Sequence, residues 1–193
     1  MAARKTQWVL ILALVLVLAA GQPAAAATTG RWPELKAITG LSWLVMDADS
    51  GEVLVQNQAD LPMFPASTTK IMTAILVLEA NRLDQVVTVS ADAVKLPAGS
   101  SKVGYLAGEK VVVRDVLAGL MLAPGNDAAN ILAEAYSGSQ EAFVQVMNKK
   151  AAALGMTGSH FINPSGLHDP EHVTTARDMA KLAAYAMKNQ RFR

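Results

Sequence analysis

The chain has 193 residues, 52% hydrophobic and 17% charged, with no cysteine and a formal net charge of +1. That length suits one domain, or two small ones, with enough chain to bury a core. The charge balance argues against a basic nucleic-acid-binding surface, the apolar content against a disordered chain, and the missing Cys against disulfides, zinc–thiolate sites and a cysteine nucleophile.

Arg4 and Lys5 give the chain a positive start, and Trp8 to Ala20 is an unbroken apolar run ended by Gly21, Gln22 and Pro23. Ala24 to Ala27 then place small side chains where a signal peptidase reads. This is the n-region, h-region and A-x-A order of a secretory signal. As a membrane helix the run would span only about 20 Å, short of the roughly 30 Å hydrocarbon core. The expectation is a signal peptide over residues 1–27, cut after Ala27 or Ala26. The mature chain, 28–193, is then nearly neutral and works outside the cytoplasm, in the periplasm or cell-wall space.

Ser42 to Met46 and Glu52 to Val55 flank the polar turn Asp47–Gly51 and predict a β-hairpin. Pro62 and Pro65 bracket a loop, after which Ser67 opens a predicted helix to about Ala80. Ile71, Ala74, Ile75 and Leu78 recur at the spacing of one buried helical face. Val86 to Val89 predicts a short strand, and Pro97 to Gly108 a Gly- and Ser-rich loop. Four helices follow: Arg114 to Leu122, stopped by Pro124-Gly125; Asp127 to Tyr136; Gln140 to Leu154, ended by Gly155; and Thr175 to Lys188, with Thr174 as N-cap. Strands before a largely helical body indicate an α+β class. Met72, Met121 and Met179 read most simply as core filler.

One segment carries chemistry. Pro65-Ala66-Ser67-Thr68-Thr69-Lys70 sets a hydroxyl and an amine three residues apart at a helix start, one turn from each other. A Ser hydroxyl becomes a nucleophile when a base takes its proton, and an amine serves as that base only when neutral. Burial and the positive end of the helix dipole both disfavour the ammonium. Unpaired N–H groups at the same helix start, that of Ser67 included, can stabilise an oxyanion. S-x-x-K also arises by chance, and the plainer reading makes Ser67 an N-cap and Lys70 a solvated first-turn residue.

Phe64 to Ala74 (FPASTTKIMTA) resembles the active-site segment of serine-type D-alanyl-D-alanine carboxypeptidases. These are low-molecular-mass penicillin-binding proteins, related to serine β-lactamases, and S-x-x-K is the first motif of that superfamily. Asp47 to Leu54 is similar to the family's first hairpin. Gly99 to Gly104, Glu109 to Leu122, Gly125 to Ala129, Asn163 to His168 and Thr174 to Ala180 continue in the family's order, so the likeness runs from about Leu41 to Arg193.

The resemblance implies a β-lactamase and penicillin-binding-protein transpeptidase-like fold, an antiparallel sheet beside a helical subdomain. It implies Ser67 as acyl-ester nucleophile, Lys70 as proton acceptor, and Asn126 aligning substrate and Lys70. The second family motif, Ser-Gly-Asn or Ser-Ala-Asn, falls on Pro124-Gly125-Asn126. Pro124 offers neither hydroxyl nor N–H, so a proton path through that Ser must run elsewhere; Ser100 and Ser101 are substitutes by residue type. The third motif, Lys-Thr-Gly, has no counterpart. The expectation is the N-terminal part of a longer enzyme, its last sheet strands missing and only the first two present.

By resemblance, the implied reaction removes the terminal D-alanine of a peptidoglycan stem pentapeptide, with β-lactams as inhibitors. It needs no cofactor, metal or nucleic acid, and membrane association would come only through sequence beyond Arg193. Three alternatives stand beside it: a catalytically weak or inactive penicillin- or peptidoglycan-binding fragment, a serine β-lactamase, which the segments after Ser67 favour less, and a truncated product with no independent function. His168 and His172 have a metal-ligand spacing when carried on a helix, but Pro170 lies between them and the family assigns no metal there.

Overall fold

The β-rich runs on either side of Asp47–Gly51 pair as the sequence predicts. In the computed structural model, which describes residues 38–123 and 125–193, β1 (Trp43–Met46) and β2 (Val53–Asn57) are antiparallel, with Trp43 opposite Asn57 and a register shift after Val45. Asp47 closes the turn, its Oδ1 accepting the N–H groups of Asp49 and Ser50 and the Ser50 hydroxyl, as Asp does in turns. The expected signal peptide and Pro124 lie outside the described residues. The chain divides into a unit Met1–Thr39, of which only Ile38 and Thr39 are described, and a unit Gly40–Arg193 that holds every element named here.

The helix predicted from Ser67 begins differently. Ala66–Thr69 form a 3-10 turn, and the α-helix proper, α1, is Lys70–Glu79. Its burial also differs from the predicted stripe. Ile71 is only half-buried, whereas every residue from Met72 to Leu78 is buried. A helix buried on all sides lies inside the protein rather than on its surface. Ala74 and Val77 pack into one apolar cluster with Val116, Leu120, Ile131 and Leu132. Met72, Ile75 and Leu76 pack into a second with Phe143, Met147, Phe161 and Leu182.

β3 (Val86–Thr88) is the predicted strand, and its antiparallel partner β4 (Lys110–Val112) was not expected. Among the described residues the sheet structure is these two separate two-stranded ladders. β4 leads directly into α2 (Val113–Leu122); α3 (Asn126–Ser137), α4 (Gln140–Ala153) and α5 (Ala176–Met187) follow. The cap of α5 is Thr175, not Thr174: its Oγ1 accepts the Asp178 N–H at 3.1 Å. Thr174 is engaged elsewhere, its hydroxyl on Ser159 and its backbone exchanging two hydrogen bonds with Met63. Met72 fills the core as expected, but Met121 is about half exposed.

Candidate active site

The chain turns sharply into the Ser67 segment. Ala66 has φ +48°, a left-handed conformation that costs a residue with a Cβ roughly 1–2 kcal/mol. The backbone and hydroxyl of Thr68 both donate to the Pro65 carbonyl, at 3.2 and 2.6 Å. In a 3-10 turn, residues i and i+3 lie directly above one another. That geometry brings Lys70 Nζ to 3.1 Å from Ser67 Oγ. Ser67 makes no capping bond and is exposed, so the N-cap reading does not hold.

Nor is Lys70 a solvated side chain: it is 4% exposed. Its Nζ donates to Asn126 Oδ1 at 2.8 Å and to the Ser165 carbonyl at 2.7 Å, besides facing Ser67. Burial strips water from the ammonium and lowers its pKa from 10.5 to about 8. One set of atom positions serves both protonation states. As ammonium, Lys70 donates to all three oxygens. As amine, it donates to Asn126 and Ser165 and turns its lone pair to the Ser67 hydroxyl.

The Ser165 carbonyl had no signature in the sequence, because a backbone acceptor can come from any residue type. The signal that was available is the turn Asn163-Pro164-Ser165-Gly166. Asn163 Oδ1 accepts the N–H groups of Ser165, Gly166 and Leu167, a side chain standing in for a turn's own carbonyl. Gly166 has φ +86°, and a Cβ there would meet the Ala66 carbonyl oxygen at 1.8 Å. The turn therefore lies directly on the backbone preceding Ser67. Thr73 secures it from α1, its hydroxyl donating to the Pro164 carbonyl at 2.7 Å.

Ser67, one turn away, and Asn126, from a separate stretch of the chain, thus converge on the Lys70 nitrogen. The hydroxyls of Ser100 and Ser101 are not among its partners; what Ser101 supplies is its carbonyl, which accepts the Asn126 N–H at 2.9 Å. His168 and His172 part company. His172 is buried, its Nε2 3.0 Å from Thr69 Oγ1, and burial lowers its pKa to about 4. His168 is exposed and lies edge-on to Phe64.

The sequence profile of the peptidase S11 family, described as D-alanyl-D-alanine carboxypeptidase, matches residues 26–192. The D-alanyl-D-alanine carboxypeptidase DacF of Bacillus subtilis is 39% identical over 152 residues, which cover 76% of this chain and 39% of DacF. DacB2 of Mycobacterium tuberculosis is 40% identical over 153 residues, covering 78% of this chain and 52% of DacB2. Among solved structures, penicillin binding protein 6B from Escherichia coli superimposes with a TM-score of 0.79 at 32% identity, over 89% of this chain and 56% of that one. The chain thus spans between about two fifths and one half of the length of these curated relatives. The likeness gives the α+β fold of penicillin-binding proteins, and the chain belongs to the peptidase S11 family of D-alanyl-D-alanine carboxypeptidases.

Proposed function

We propose that this protein acts on peptidoglycan stem pentapeptides as a serine D-alanyl-D-alanine carboxypeptidase, in cell-wall metabolism. The observation that carries the reading is the buried Lys70 amine 3.1 Å from Ser67 Oγ, held by two further acceptors. Neutral Lys70 takes the Ser67 proton as Oγ attacks the carbonyl carbon between the two D-alanines. The tetrahedral oxyanion is met by the Ser67 N–H at the helix start. It collapses with cleavage of the C–N bond, and the leaving D-alanine amine takes its proton from the Lys70 ammonium. Lys70 then deprotonates the water that attacks the ester, and the proton returns to Ser67 Oγ. Asn126 keeps Lys70 aligned throughout.

Residue 124 is Pro, so this route returns the proton from Lys70 itself and uses no second Ser. The same fact favours a second reading, a slow enzyme that binds penicillin and turns over poorly. Residues 1–27 fit an export signal and 28–193 the part of the catalytic domain that carries Ser67 and Lys70. A β-lactam, which presents a strained amide to the same hydroxyl, would acylate Ser67. The test is D-alanine release from a stem pentapeptide by the full chain. Release that disappears in Ser67→Ala is the expected result. Penicillin acylation without release would favour the second reading, and β-lactam turnover without release would identify a β-lactamase.

A further inference from the structure

Asp127 follows Asn126 directly and is 1% exposed. A carboxylate this deep is costly unless its lone pairs are filled. Among the described residues no cation forms an ion pair with it; all four of its bonds come from backbone N–H groups. Oδ1 accepts from Val103 and Ala128, each at 2.9 Å. Oδ2 accepts from Gly104 at 2.7 Å and Tyr105 at 3.2 Å. Four donors match the roughly four acceptor positions of a carboxylate. Three of them are consecutive amides of one loop, aimed together as in an anion-binding nest.

That loop also holds Asn126 from the other side, through the bond from the Asn126 N–H to the Ser101 carbonyl. The approach is close enough to require Gly125, where a Cβ would come within 2.6 Å of Val103 Cγ2 and 2.7 Å of Asp127 Oδ1. The direction of the Asn126 side chain follows from its backbone. Its peptide N–H is fixed by Ser101, and the residue after it is fixed by the loop amides of Val103 to Tyr105. Its Oδ1 then lies 2.8 Å from Lys70 Nζ.

We propose that Asp127 is a positioning residue of this site: by clamping the Ser101–Tyr105 loop to the start of α3, it fixes the Asn126 amide against Lys70. The kinetic consequence rests on the Ser67–Lys70 reaction proposed above; the clamp itself does not. The test uses the full chain and Asp127→Asn, which keeps the size and turns two donors toward amides that need an acceptor. Three quantities are read: amide hydrogen exchange of Val103, Gly104 and Tyr105, the titration midpoint of the Lys70 Cε resonance, and the rate of Ser67 acylation by a labelled penicillin.

Asp127→Asn should speed exchange of those three amides at least about tenfold, raise the Lys70 midpoint by about one unit as water reaches the ammonium, and slow acylation roughly 10- to 100-fold. A purely structural role would lower the melting temperature and leave the Lys70 midpoint in place. Should Asp127→Asn not fold, Gly125→Ala drives the loop outward with the carboxylate intact and should give the same three changes. Loop amides that exchange in the unmodified chain as fast as open coil would overturn the proposal. A folded Asp127→Asn with unchanged Lys70 midpoint and acylation would also overturn it. A shifted Lys70 midpoint in a chain that never reacts with penicillin would support the clamp and count against the proposed reaction instead.

Discussion

The residue that decides most is Lys70, whose neighbours are oxygens and whose pKa of about 8 follows from burial alone. In the unfolded chain it titrates near 10.4, so between these values the unfolded state binds the extra proton and stability rises with pH. Only roughly a tenth of Lys70 is neutral at pH 7. Replacing it by Met should remove the basic-range rise in stability, read by urea unfolding at pH 7 and pH 10, and abolish acylation. His172 gives the acid counterpart. Its folded pKa of about 4 lies below the unfolded value near 6.5, so the unfolded chain binds more protons in that window. Stability should therefore fall as the pH drops from 6.5 to 4, by up to about 3 kcal/mol, and His172→Gln should flatten that fall. Gly166→Ala should be harsher than Gly51→Ala. Both have positive φ, but only at Gly166 does the new Cβ meet backbone, the Ala66 carbonyl oxygen. The expected loss at Gly166 is several kcal/mol, about 3 or more, with loss of penicillin acylation; at Gly51 it is about 1 kcal/mol.

Among the elements, α1 joins the two apolar clusters and carries Lys70 at its first position. Leu76→Ala should cost about 2–5 kcal/mol in chemical denaturation, the range for a fully buried Leu. The helix was legible in the sequence and its surroundings were not. Periodicity finds a buried stripe by contrast with a polar face, and Met72 to Leu78 offers no such contrast. The 3-10 entry was equally hidden, because i, i+3 spacing fits either helix type. It matters to the chemistry, since the tighter turn is what stacks Ser67 over Lys70. β4 has no local signature, because Lys110–Val112 passes straight into the helix at Val113 with no turn residue to separate a strand from the helical pattern. The Thr174-or-Thr175 choice at α5 turned on tertiary partners, the pairing of Thr174 with Met63, that no local signal carries.

At the scale of the whole molecule, the α+β class and the family resemblance were readable from the chain, and the profile match over residues 26–192 agrees with the resemblance. The order of elements is more mixed than strands before helices, because α1 stands between the two strand pairs. Within the site, side-chain chemistry was legible and main-chain chemistry was not. Ser67, Lys70 and Asn126 announce themselves by residue type, whereas the Ser165 and Ser101 carbonyls act through atoms every residue possesses. If a neutral, buried Lys70 makes Ser67 nucleophilic, mass spectrometry of the chain after brief exposure to penicillin across a pH series will show it. The expected result is one penicilloyl adduct on Ser67, absent in Ser67→Ala, forming faster as the pH rises with a midpoint near 8. An adduct that persists in Ser67→Ala, no adduct at any pH, or a rate flat between pH 6 and pH 9 would contradict it.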